Sequence, residues 1–309
     1  MLCIANVAKK NECMAHGGTF FAVPVQKTSP HESRKPIFCS NFVVVILSMT
    51  IMKKFILDLT VVSAEALSDK HVLIKLTHRD PLPEMTAGQF VEVRIDNSPA
   101  TFLRRPISIN NVDRQHNELW LLVAAVGDGT RRLQQLKTGD TLNCVLPLGN
   151  GFTMPSAPGT RHLLVGGGVG VAPLLYLGKA IKAAGGEPTF LLGARTASDV
   201  LERDLFEHTG RVLITTEDGS LGERGFVTNH TVLTAERFDM IHTCGPKPMM
   251  MAVARYAYKN GIECEVSLEN KMACGVGACL CCVEKTTKGN QCVCKDGPVM
   301  NIKQLLWQI

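Results

Sequence analysis

A chain of 309 residues, 45% hydrophobic and 20% charged, is long enough for two ordinary domains and too apolar for a disordered protein. Its formal net charge of +5 is not gathered into any long run of Lys or Arg, which argues against a nucleic-acid-binding role. Six of the 12 cysteines lie between Cys274 and Cys294, and such clustering suits a metal site rather than a disulfide framework.

Residues 1–51 carry scattered Cys, His and Pro without sustained periodicity. They read as a loose extension or a misassigned start, with the folded unit beginning at Met52-Lys53-Lys54. The apolar run from Phe42 to Met52 falls well short of the roughly 20 residues that span a bilayer. No small-residue cleavage site of a signal peptide follows it. No membrane association and a reducing cytoplasmic location are therefore expected.

From Lys53 to about Thr153, β segments recur at short spacing: 55–62, 71–77, 89–95, 119–126 and 141–146. Turn residues such as Asp80-Pro81 and Thr138-Gly139-Asp140 separate them, so residues 52–157 are expected to form a barrel or sandwich. Texture changes after Pro158-Gly159. Strands are expected at 161–166, 189–193, 211–215 and 240–244, and helices at 172–184, 199–207, 227–233 and 247–260. Such alternation predicts a doubly wound parallel sheet over 158–265. Residues 266–309 form a cysteine-rich tail.

Five motifs carry chemistry. Arg105-Pro106-Ile107-Ser108 places a cation and a hydroxyl on one β segment; taken alone it reads rather as a Pro at a strand edge with an exposed Arg. Gly127-Asp128-Gly129-Thr130 follows a strand and opens a short helix, where backbone amides reach an anion and Thr130 can cap. An ordinary strand–turn–helix connection explains it as well. Gly166-Gly167-Gly168-Val169-Gly170, with Pro173 in the first helical turn, stands where doubly wound folds bind nucleotide phosphates, although it departs from the strict dinucleotide fingerprint. Cys244-Gly245-Pro246 ends a later strand of that sheet, and a buried structural Cys is the plain alternative.

The fifth motif is the most specific. Cys274-x4-Cys279-x2-Cys282, followed by Cys294, has the spacing of plant-type 2Fe–2S sites, with glycines that let amides point at sulfur. A four-Cys zinc site is the rival, but Cys292-Val293-Cys294 is an unusual zinc knuckle. Cys281 and Cys292 are surplus to a set of four.

In this order the motifs resemble the ferredoxin–NADP reductase superfamily. The tail Met272-Ala273-Cys274-Gly275 and Cys294-Lys295-Asp296-Gly297-Pro298-Val299 resembles the electron-transfer subunits of class 1B, NAD-linked, dihydroorotate dehydrogenases. The resemblance covers residues 52 to 309. It implies an FAD-binding antiparallel β-barrel, a doubly wound nicotinamide-binding domain and a small C-terminal 2Fe–2S domain. It implies Arg105, Pro106, Ile107 and Ser108 at the flavin, with Ser108 near its reactive edge. Gly129 and Thr130 are implied at the FAD pyrophosphate, Gly168 and Gly170 at NAD, Cys244 near the nicotinamide, and Cys274, Cys279, Cys282 and Cys294 on the cluster.

By the same resemblance the partner is an FMN-containing dihydroorotate dehydrogenase catalytic subunit in a heterotetramer of two plus two. Electrons from dihydroorotate then reach NAD in pyrimidine biosynthesis. A flavin reductase serving ferredoxin or sulfide is the alternative, and a zinc-stapled nucleotide-binding regulator is the remote one. Arg195, just after the second sheet strand, could meet the 2′-phosphate of NADP, while the resemblance favours NAD.

Overall fold

The structure is a computed structural model describing residues 53–98 and 100–307; the expected extension, residues 1–51, lies outside the described residues. β1 (Phe55–Ser68), β2 (His71–Thr77), β3 (Phe90–Val93), β4 (Arg105–Asp113), β5 (Glu118–Ala124) and β6 (Thr141–Leu148) close into an antiparallel barrel in the order β1-β2-β5-β4-β3-β6. Alternation makes the barrel: Leu59, Val61, Val91, Val93, Leu119 and Leu121 fill the interior while their neighbours along each strand point outward. β1 runs six residues past the expected 55–62. A register shift between Val61 and Ser63 breaks its period of two, and pairing with β2 then carries the polar stretch to Ser68. The short α1 (Asp128–Leu133) follows β5 and buries Leu133 in the barrel core.

The second layer follows the expected alternation. It comprises β7 (Arg161–Gly167), α2 (Ala172–Ala183), β8 (Glu187–Ala194), α3 (Arg203–Thr209), β9 (Arg211–Thr216), β10 (Glu223–Arg224), α4 (Val232–Ala235), β11 (Met240–Cys244), α5 (Lys247–Lys259) and β12 (Glu263–Ser267). Two expected helices are shorter than the sequence suggested. The helix expected at 199–207 starts at Arg203, because Glu202 takes a left-handed φ of 53° before it. The helix expected at 227–233 splits into a 3-10 turn, Val227–Asn229, and α4, because His230 is extended between them.

After β12 come the hairpin β13 (Val283–Thr286) and β14 (Gly289–Cys292), then α6 (Val293–Asp296) and β15 (Val299–Asn301). The large sheet has the order β10-β9-β8-β7-β11-β12-β15, with β15 antiparallel to β12 and the other pairs parallel. β12 runs across the division expected at 265/266. The cysteine-rich segment is thus an excursion between two paired strands of one sheet. Among the described residues no helix is long and apolar enough to cross a membrane.

α2 ties barrel to sheet. Tyr176 Oη donates to the Met85 carbonyl at 3.0 Å, Lys179 Nζ to Asn111 Oδ1 at 3.0 Å, and Asn110 Nδ2 to the Ala172 carbonyl at 3.2 Å. A buried polar chain makes a second tie. Thr153 donates its amide and hydroxyl to Glu265, and Glu265 faces His242 Nδ1 at 3.4 Å. His242 Nε2 lies 3.0 Å from His162 Nδ1, with the two rings stacked.

Burial, with His242 beside it, pushes His162 down to about 4. The unfolded chain therefore takes up this proton near pH 6.5 and the folded chain only near 4. Stability should rise with pH across that window, and His162→Gln should remove this part of the slope. The expected difference between wild type and variant is on the order of 1–3 kcal/mol, read as urea midpoints at pH 5 and pH 7.5. Identical slopes would show that His162 titrates alike in both states.

Candidate cofactor and electron-transfer site

Arg105-Pro106-Ile107-Ser108 opens β4, half-buried, on the outer wall of the barrel. Gly129 stands directly across from it. A Cβ built on Gly129 would lie 3.0 Å from Arg105 Nε and 3.1 Å from Thr101 Cγ2. The first two motifs, 24 residues apart, thus form one cradle of backbone and guanidinium. A cleft lined by Arg94, Ile95, Arg132 and Leu133 adjoins it. Thr130 folds inward: its hydroxyl accepts the amides of Val126 and Gly127, both at 3.0 Å, and donates to the Gly127 carbonyl. It shapes the turn. A Gly129→Val chain should emerge with clearly lower flavin content, because the new side chain displaces Arg105; an unchanged flavin-to-protein absorbance ratio would place the cofactor elsewhere.

The glycine motif stands where the strand order turns back, between β7 and β11. Gly170 is pressed against the next motif: its Cβ would sit 2.4 Å from Gly245 Cα and 2.7 Å from the Cys244 carbonyl oxygen. Only glycine allows this approach. Gly168 is exposed, with a φ of +56° and no neighbour within 4 Å of its Cβ position. The Cys244 thiol is fully buried, and burial pushes it far up, so the backbone of Cys244-Gly245 rather than the sulfur meets the glycine loop. Arg195 is exposed just beyond β8.

The cysteine loop gathers amides around sulfur. Val276, Ala278 and Cys279 donate backbone N–H to Cys274 Sγ at 3.3–3.4 Å. Gly277 donates to Cys294 Sγ at 3.1 Å, and Cys294 to Cys282 Sγ at 3.3 Å. Burial works to raise the Cys274 thiol, but these amides and the Cys279 thiol outweigh it and hold it near 6. The amides pair the cysteines two by two, Cys279 with Cys274 and Cys294 with Cys282. Burial and the neighbouring Cys282 push Cys294 up to about 12.

Among the described residues, no three His, Cys, Asp or Glu side chains converge as ligands of a single ion. Two pairs of thiols suit two irons, two ligands each, better than one tetrahedral zinc. Cys281 is exposed and Cys292 closes β14; neither takes part in these amide bonds to sulfur.

One strand joins these parts. β3 pairs with β4 so that Phe90 lies opposite Ser108, Glu92 opposite Pro106 and Val93 opposite Arg105. Phe90 and the buried cysteines Cys282, Cys292 and Cys294 belong to one hydrophobic core cluster. Glu92 is 1% exposed and underlies the loop: a Cβ on Gly275 would fall 2.6 Å from Glu92 Cγ. Sequence reasoning passed over both residues. A single carboxylate in the otherwise apolar Phe90-Val91-Glu92-Val93 was the available signal.

A six-stranded barrel, a glycine loop at a sheet's switch point and a paired-thiol loop docked on the barrel define an electron-transfer reductase of the ferredoxin–NADP reductase type. Residues 269–306 match the iron-sulfur cluster binding domain of dihydroorotate dehydrogenase B, and residues 164–255 match the oxidoreductase NAD-binding domain. The chain is 42% identical over 224 residues to the dihydroorotate dehydrogenase B (NAD(+)) electron transfer subunit of Caldanaerobacter subterraneus, covering 71% of this chain and 87% of the relative. The subunit of that name from Bacillus caldolyticus is 36% identical over 252 residues, covering 80% and 97%. A solved NADH-dependent reduced ferredoxin-NADP oxidoreductase superposes with a TM-score of 0.73 at 29% identity, covering 81% of this chain and 90% of the other. The chain belongs to the family of dihydroorotate dehydrogenase B (NAD(+)) electron transfer subunits.

Proposed function

We propose that this chain carries electrons between a dihydroorotate-oxidising catalytic subunit and NAD in pyrimidine biosynthesis, using FAD and a 2Fe–2S cluster. The flavin supplies hydride exchange with the nicotinamide and single-electron exchange with the cluster. In this reading residues 52–157 serve the flavin, 158–265 serve NAD, and 266–309 hold the cluster. Arg105 and the Gly129 backbone cradle the FAD pyrophosphate, with Thr130 fixing the turn. Ser108, on the same strand, faces the ring. Gly168 and Gly170 admit the dinucleotide at the switch point. Cys274, Cys279, Cys282 and Cys294 would hold the cluster. The partner bears FMN, pairs two plus two with this chain, and shares its cytoplasmic location.

The observation that carries this reading is β3. One strand pairs Phe90 with Ser108 and Glu92 with Pro106, and the stem of the same Glu92 lies 2.6 Å from the Cβ position of Gly275 in the cysteine loop. A flavin held along β4 and a cluster held in the cysteine loop would thereby be joined through one strand. No acid–base dyad is required; the chain's task is to orient rings and exclude water.

The test is a visible spectrum of the anaerobically co-purified pair, before and after dihydroorotate. Flavin bands over broad iron–sulfur absorption, bleached by dihydroorotate, support the reading. Bleaching by NADH alone would keep the reductase and discard the pyrimidine role. A colourless, zinc-containing protein would overturn both.

A further inference from the structure

The Glu92 carboxyl group has no use in the reading above. β3 alternates, so Val91 and Val93 enter the barrel core while Phe90 and Glu92 turn outward, Glu92 beneath the cysteine loop. Glu92 is 1% exposed, and both carboxyl oxygens lack a hydrogen-bond partner. The nearby cation is engaged elsewhere: Arg104 donates to the backbone carbonyls of Glu92 and Asn143 and to Asn143 Oδ1. Gly275, with a φ of +67°, lies flat on the carboxyl stem; its Cβ position is 2.6 Å from Glu92 Cγ and 3.1 Å from Oε1.

An unpartnered buried carboxyl is unfavourable by roughly 1–3 kcal/mol or more. A strand needing only an apolar contact at this place would be served by Val or Leu, as its neighbours are. The carboxyl is placed against the residue that follows Cys274. In so dry a setting a single charge acts strongly on a neighbouring redox centre, since the field is little screened. Net charge and amide bonds near the sulfurs are what set iron–sulfur potentials.

We propose that Glu92 is a positioning residue of the cluster, whose carboxylate underlies the Cys274–Gly275 loop and holds the reduction potential of the cluster low. This rests on the reading that Cys274, Cys279, Cys282 and Cys294 hold a 2Fe–2S cluster. Burial pushes the Glu92 carboxyl up to about 7, so above that pH it carries a negative charge that opposes addition of an electron to the cluster. A lower cluster potential would favour passing the electron on to the flavin over holding it on the cluster.

The test uses the co-purified complex and an EPR-monitored redox titration at pH 8. For Glu92→Gln, nearly isosteric and uncharged, the reduced-to-oxidised ratio of the cluster at the wild-type midpoint should rise about tenfold, or ~59 mV for one electron. Glu92→Asp keeps the charge but withdraws it from the loop, and its shift should fall between wild type and Gln. A Glu92→Gln cluster titrating at the wild-type midpoint overturns the proposal. Should Glu92→Gln lose its cluster, Glu92→Asp decides: a raised midpoint supports the proposal, and an unchanged one overturns it. If the wild-type complex shows no 2Fe–2S signal, the cluster reading itself fails, and that outcome is distinct from the others.

Discussion

Cys279→Ser is expected to uncouple this chain from its partner while sparing its reaction with NADH. Cys279 supplies one thiol of the first pair, and its backbone amide also donates to Cys274 Sγ at 3.4 Å. A hydroxyl is a poor iron ligand beside thiolates, so the cluster should be lost or present at a small fraction of wild type. Electron exchange with the catalytic subunit should fall at least about a hundredfold, since even indirect damage to a metal site has effects of 10–100-fold. NADH reduction of an artificial dye should persist, because the glycine loop and the Arg105–Gly129 cradle are untouched. The comparison is Cys281→Ser, which alters an exposed thiol outside the pairs and should retain the cluster. If Cys279→Ser retained both activities and Cys281→Ser lost the cluster, the ligand set would need to be redrawn.

Gly170→Val should be the most damaging change in the nicotinamide half. The new Cβ meets backbone, not a movable side chain: Gly245 Cα at 2.4 Å and Gly245 N at 2.6 Å. β7 and β11 are paired up to Cys244 and Gly166, so neither strand end can retreat alone. Overpacking of this kind is destabilising by about 1–3 kcal/mol. The larger effect is on geometry, because a displacement near 1 Å at a reacting centre lowers rates by about 100-fold. Flavin reduction by NADH, followed by stopped flow, should slow by about that factor with flavin content unchanged. Gly168→Val, in open space, should be milder, since only its positive φ resists a side chain. Equal rates for wild type and Gly170→Val would move the dinucleotide away from this crevice.

Much of this architecture was legible because its signals are local. Strands 71–77 and 240–244 have the bounds expected from apolar runs and turn residues, and α2 and α5 end one residue short of expectation. The glycine motif sits at the switch point because strand–loop–helix order alone predicts it. Other features depended on partners distant in the chain. The polar second half of β1 is a strand only because β2 lies beside it. The helix expected at 227–233 is broken by the extended backbone of His230.

Residue types and spacings by themselves determined an all-β first half, the doubly wound sheet and the Cys-x4-Cys-x2-Cys set, because each is written in a period or interval of the chain; that the first half closes into a barrel was decided by strand pairing. Tertiary structure alone decided what these parts do to one another. It set Arg105 against Gly129, Gly170 against Gly245, and the thiols two by two. It returned β15 to the sheet, so that the cysteine loop rests on β3. It also placed the unpartnered carboxyl of Glu92 under that loop, 182 positions before Cys274. The physical reason is that periodicity fixes which face a side chain takes, whereas closing the barrel and stacking it on the sheet choose which faces meet.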